Sequence, residues 1–222
     1  MPVSKQILSY LKKLDLNIEL PPGVEFMNPF KDSSAFDICK KFYSVYYNDS
    51  NSRYLILGIN PGRFGGGITG IPFTDPVRLG SVCGIENGFQ QKQELSSVFI
   101  YDVIQAFGGP KLFYSKFYIS SICPLGFTKN NKNLNYYDDR ALENSLKEFI
   151  IENINLQLNF GLSRRIAFCL GEGKNFAYLN KLNDEMNFFE KLVGLPHPRF
   201  IMQYKLKTKA DYIDRYLREL KM

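Results

Sequence analysis

Tyr54-Leu55-Ile56-Leu57-Gly58-Ile59-Asn60-Pro61-Gly62 decides how the rest of the chain is read. Residues 54–59 form an unbroken apolar run, too short for a helix and without the alternation of a half-exposed strand. That pattern belongs to a strand buried on both faces, the environment of a parallel sheet. Asn60-Pro61-Gly62 stops it, because proline cannot donate to a ladder and glycine accepts a tight turn. Three later segments have the same character: 117–123 ending at Pro124, Ile166–Leu170 closed by Gly171, and Lys191–Leu195 running into Pro196-His197-Pro198.

Between and around these runs the period changes to that of helices. Residues 4–16 place Ile7, Leu8, Leu11 and Leu14 on one face before Pro21-Pro22-Gly23 breaks the pattern. Ser33 or Ser34 is placed to cap a second helix reaching about Tyr47. Further helices are expected over Leu95–Phe107, over 138–158 with Asp138 or Asp139 at the start, from Lys174 past Leu182, and from a Thr208 cap to Leu220. Short buried strands separated by helices predict an α/β fold, a three-layer α/β/α sandwich around a four-stranded parallel sheet. No repeat, linker or low-complexity tract interrupts residues 1–222, so one domain is expected.

Composition bounds the class of partner. The net charge of +6 and pI near 9.0 permit a polyanion partner without requiring one. Nineteen Phe and 14 Tyr against no Trp point first to a Phe-rich core. Cys39, Cys83, Cys123 and Cys169 lie far apart with no C-x-x-C pair, which disfavours a zinc ribbon or an iron–sulfur clip and suits a reducing, cytoplasmic setting. The amphipathic N-terminus is neither a signal peptide nor an anchor, and no apolar stretch is long enough to span a membrane.

Ligands of open parallel sheets bind beyond the carboxyl ends of the strands, so the residues that follow each run are the candidates. His197 is the only histidine, held between two prolines that stiffen the backbone and aim the ring. The glycine-rich stretch 63–70 lacks the Gly-Lys-Ser/Thr ending of a phosphate loop, and Gly70-Ile71-Pro72 cannot open the helix of a dinucleotide fingerprint. It reads as a surface loop, or as backbone that lets a flat ligand approach closely. No acid follows the first strand, so an obvious general base is missing there; Glu172, after the third, reads as a helix-start charge.

Three blocks in this order carry a family resemblance. They are Leu55-Ile56-Leu57-Gly58-Ile59-Asn60-Pro61-Gly62 with Phe64-Gly65 and Thr69-Gly70-Ile71-Pro72-Phe73; Ile122-Cys123-Pro124-Leu125; and Leu195-Pro196-His197-Pro198. Together they resemble the single-strand-selective monofunctional uracil-DNA glycosylases of the uracil-DNA glycosylase superfamily, from about Asn28-Pro29 to the last helix. The resemblance implies a monomeric DNA-repair hydrolase that flips a damaged base into a pocket at the strand ends, with no cofactor or metal. Under it, Asn60 positions the attacking water, His197 stabilises the departing base anion, Phe73 stacks on the base, and the backbone around Ile59 and Gly62 contacts its edge.

Departures from the family pattern shape the expected specificity. Ser121 stands where the family has an asparagine reading the pyrimidine edge, which predicts looser discrimination and room for xanthine or hypoxanthine. His197-Pro198 continues into Arg199-Phe200 where the family has Ser-Pro, so Arg199, Phe200 and Met202 are candidates to wedge into the duplex, unless 200–204 is an ordinary strand. Arg63 replaces a frequent proline and either touches phosphate or is solvated. Lys129, Lys132, Lys205, Lys207 and Lys209 are further phosphate candidates. The competing reading is a non-catalytic DNA-binding or damage-sensing protein on the same fold, which would have no need of both Asn60 and His197. A nucleotide-binding α/β protein is disfavoured by the missing phosphate motifs.

Overall fold

The structure is a computed structural model that describes residues 1–221. Its strands are β1 (Val24–Met27), β2 (Tyr54–Gly58), β3 (Phe117–Ser121), β4 (Gly126–Lys129), β5 (Lys132–Leu134), β6 (Ile166–Leu170) and β7 (Lys191–Leu195). Its helices are α1 (Val3–Lys13), α2 (Ser33–Tyr46), α3 (Gly66–Thr69), α4 (Pro76–Ser81), α5 (Leu95–Phe107), α6 (Pro110–Lys116), α7 (Arg140–Leu158), α8 (Lys174–Met186), α9 (Pro198–Tyr204) and α10 (Lys209–Leu220).

The main sheet runs β3-β2-β6-β7, every pair parallel, with Gly58 level with Ser121 and Leu57 with Cys169. Successive residues of β2, β3 and β6 are buried regardless of which way they point, so helices cover both faces. The chain steps from β2 to β3 on one side and returns to β6 on the other. That places a switch in topology, and hence a crevice for a ligand, at the β2 end. Buried thiols of Cys123 and Cys169 are pushed up to about 12 by desolvation, as small apolar groups would be.

A second, three-stranded antiparallel sheet, β1-β4-β5, was not foreseen from the sequence. β4 and β5 are joined by Asn130-Asn131, both in the left-handed region at φ of 52° and 58°. That is the two-residue turn whose twist matches a hairpin. The hairpin stands directly after the β3 end, where it can reach back over β2.

Several local expectations are corrected. Asp32, not Ser33 or Ser34, caps α2 by accepting the Ala35 N–H at 3.0 Å. Of the two residues expected at the start of α7, Asp139 is the cap, while Asp138 accepts the Asn135 N–H. Thr208 precedes α10 but its hydroxyl donates to the Lys205 carbonyl instead of capping. Residues 200–204 are neither strand nor loop. Pro198 supplies the preset φ of a first helical turn and His197 the cap, so the segment is the helix α9. Glu172 pairs with Arg215 of α10.

Candidate active site

A cavity of about 110 Å³ opens at the carboxyl ends of β2, β3 and β7. Asn60, Gly62, Phe73, Ser121 and His197 line it together with Ile59, although they come from widely separated parts of the chain. Parallel strands bring them together because every β-end in such a sheet faces the same way.

Asn60 is held by the hairpin. Its Nδ2 donates to the Leu134 carbonyl at 3.2 Å, and its Oδ1 accepts the Tyr136 N–H at 3.1 Å. The amide orientation is thereby fixed, with one N–H and one lone pair left for a ligand. Tyr136 is itself anchored, its buried hydroxyl donating to Asn175 Oδ1 at 2.9 Å, while Asn175 Nδ2 donates to the Leu170 carbonyl at 3.1 Å. The water-positioning candidate therefore sits in a chain of bonds running back to the end of β6.

His197 is the N-cap of α9. Its Nδ1 accepts the Arg199 N–H at 3.2 Å, which places the ring proton on Nε2. Burial, and then the nearby Arg199 charge, pull its pKa down to about 4. At neutral pH the ring is an uncharged donor through Nε2–H.

Phe73 is 6.1 Å from His197 between ring centroids, inclined at 50°. Its backbone has φ of 53°, a region that bulky residues rarely enter and that must be enforced by its surroundings. Thr74 enforces it: fully buried, it bonds the Pro72 carbonyl and the Tyr101 hydroxyl through its own hydroxyl, and its carbonyl accepts from Thr69 Oγ1 at 2.7 Å. Beneath the ring, Gly58 has no side chain to obstruct it.

An open groove of about 580 Å³ continues from the cavity mouth. Phe64, Tyr137, Phe200 and Tyr204 line it with Arg63, Lys132 and Arg199, and among the described residues no carboxylate does. Arg63 is latched to the β4–β5 turn through its N–H to Asn133 Oδ1 at 3.2 Å and its guanidinium to the Asn131 carbonyl. Phe200 and Tyr204 are exposed one turn apart on α9. Lys129 lies elsewhere: its ammonium is 3.5 Å from Asp139, and it lines neither cavity nor groove. Lys209 pairs with Asp102 at 2.8 Å.

Asn133, Asn135, Glu94 and Ser96 line the cavity and went unforeseen. Asn133 and Asn135 arrive with the hairpin, for which Asn130-Asn131 was the available signal. Glu94 arrives from the start of α5, distant in sequence from every block above, and nothing in its surroundings marked it. Among the described residues no group of three or more His, Cys, Asp or Glu is arranged to hold a metal ion, and no helix is long and apolar enough to cross a membrane.

The family model described as "Uracil DNA glycosylase superfamily" matches residues 45–221, and the chain belongs to that family. Among solved structures it is similar to wild-type SMUG2 of Pedobacter heparinus, with 52% identity, a TM-score of 0.97, and coverage of 100% of this chain and 97% of that one. No curated protein matches it.

Proposed function

We propose that this glycosylase hydrolyses the N-glycosidic bond of uracil in DNA after flipping the nucleotide into the cavity, and that it extends to hypoxanthine and xanthine. One observation carries the reading: a fixed amide (Asn60), a neutral imidazole donor (His197) and an aromatic face (Phe73) converge on one cavity at the strand ends. As the bond between sugar carbon and base nitrogen breaks, its electron pair stays with the base. Nε2–H of His197 then stabilises the anion. Asn60 holds the water that adds to the sugar carbon. An amide takes no proton at neutral pH, so its part is placement, and the water's proton passes to the departing base or to solvent.

Ser121 supports the wider range of bases. A hydroxyl is smaller than an amide and serves as donor or acceptor, so it rejects a purine edge less strictly. The groove supports DNA as the partner. Its aromatic faces suit bases, its cations suit phosphates, and Arg63, Arg199 and Phe200 stand along it. Lys129 has no part in this path. The protein is expected to act as a monomer.

The test is base release from oligonucleotides carrying uracil, xanthine or hypoxanthine, for the wild type, Asn60→Ala and His197→Ala. Abasic product from the wild type, with both variants slowed at least a hundredfold or so, upholds the reading. Binding without release from any substrate would instead make this a damage-binding protein.

A further inference from the structure

Among the described residues Glu94 is the one carboxylate on the cavity wall, and the water-placing, anion-stabilising and stacking roles leave it without a task. It is expensive to keep there. Burial pushes its carboxyl up from the usual range, with Ser96 and the Arg199 guanidinium pulling the other way and Asp75 adding to the rise. Among the described residues no lysine or arginine nitrogen comes within ion-pairing distance of it. Space is nevertheless cleared for it: a β-carbon on Gly65 would lie 2.7 Å from Glu94 Oε2.

Its backbone is anchored beside the base-stacking segment. The Glu94 N–H donates at 2.9 Å to Oδ2 of Asp75, a fully buried residue two positions past Phe73. Asn60 is tied instead to Leu134 and Tyr136. The backbone of Glu94 is thus tied to the segment on which the base would stack, while its carboxylate lies against Gly65 in the loop that follows Asn60, so the group stands between the two at the cavity wall.

We propose that Glu94 is a specificity-determining residue that accepts a hydrogen bond from the ring N–H of the flipped base. The inference rests on the glycosylase reading and deepens it. Deamination of cytosine or adenine turns an unprotonated ring nitrogen into an N–H beside a carbonyl, so a fixed acceptor at that edge favours the deaminated base. This is the element that the exchange of asparagine for Ser121 leaves wanting. Because every deaminated base carries such an N–H, one carboxylate serves uracil, hypoxanthine and xanthine alike. A charged acceptor also makes the stronger hydrogen bond.

The experiment pairs the residue with the group it would recognise. kcat/KM is measured for uracil and for 3-deazauracil, in which C–H replaces the ring N–H, in otherwise identical oligonucleotides. Wild type is expected to prefer uracil by at least about tenfold, the scale of one hydrogen bond to a charged group. Glu94→Ala should lose about that factor on uracil and show almost no preference. Glu94→Gln, which keeps a neutral acceptor and conserves the packing, should fall between them. A residue that merely holds the pocket in shape would slow both substrates alike and leave the ratio unchanged; an unchanged ratio in Glu94→Gln, or in Glu94→Ala where it folds, overturns the proposal. Failure of the wild type to release any base would overturn the glycosylase reading itself, a result distinct from an unchanged ratio.

Discussion

Gly58 and Phe73 meet so closely that a β-carbon on Gly58 would lie 2.8 Å from both Cε2 and Cζ of the ring. Gly58 ends β2, paired in register with Ser121, and the sheet holds its backbone in place. Phe73 is held from the other side by Thr74 and Thr69. In Gly58→Ala the ring must therefore leave its position. Overpacking of this kind costs about 1–3 kcal/mol, but the larger effect is expected on catalysis, because a reactant misplaced by about 1 Å loses on the order of a hundredfold. Thermal unfolding and steady-state kinetics on one preparation separate the two. A variant destabilised but fully active would show that the ring is not part of the machinery.

Asn60 tests whether the site needs a base or a placed water. The isosteric Asn60→Asp supplies a carboxylate, but it sets an oxygen against the Leu134 carbonyl where Nδ2 now donates at 3.2 Å. The side chain must swing away or take up a proton. Activity at neutral pH is expected to drop about a hundredfold, much as in Asn60→Ala, and to recover partly as the pH falls and the restored O–H donates to Leu134. A faster enzyme at neutral pH would show that the water wants deprotonation and that the positioning role is wrong.

How far this arrangement was legible in the sequence depended on the distance over which each signal acts. β2, β3 and β6 were evident because a run buried on both faces has no other use for consecutive apolar residues, and β7 because its short apolar run stops at Pro196. Asn60 and His197 stood out because each directly follows such a run. The hairpin that orients Asn60 was missed although Asn130-Asn131 marked it, since Gly126–Lys129 and Lys132–Leu134 are too short and polar to read as strands. α9 was read as either a wedging loop or a strand, because the cap that decides the matter is a histidine ring nitrogen, an unusual acceptor in that position. Glu94 was invisible for another reason. Its place is set by Asp75 and Gly65, contacts that no local pattern records.

The depressed His197 pKa predicts a dependence of stability on pH. The group is neutral in the folded state down to about pH 4, while in the unfolded chain it protonates near its ordinary 6.5. The unfolded state therefore binds more protons in that window, and stability falls as pH drops from about 6.5 toward 4. The shift corresponds to about 3 kcal/mol. His197→Gln removes the titrating group and should flatten that part of the profile in urea melts taken at several pH values. A wild-type profile already flat there would mean that the imidazole is freely protonated and that the neutral-donor mechanism fails.

The groove separates two kinds of contact that salt can tell apart. Phe200 and Tyr204 have ring centroids 5.7 Å apart and stand 44% and 71% exposed, a surface that water disfavours and unpaired bases can cover. Stacking on an aromatic is worth about 1–3 kcal/mol per base, so Phe200→Ala and Tyr204→Ala should each weaken single-stranded DNA binding by roughly tenfold. They should do so equally at all salt concentrations, because no counterion is released by a phenyl ring. Lys132→Ala, on the exposed strand of the hairpin, should instead reduce the slope of log affinity against log salt by about 0.7. Titrations across a salt series on an oligonucleotide resolve intercept from slope. If the aromatic variants bind as wild type does while Lys132→Ala alone weakens binding, the groove tracks phosphates only, and α9 must be given some role other than holding bases.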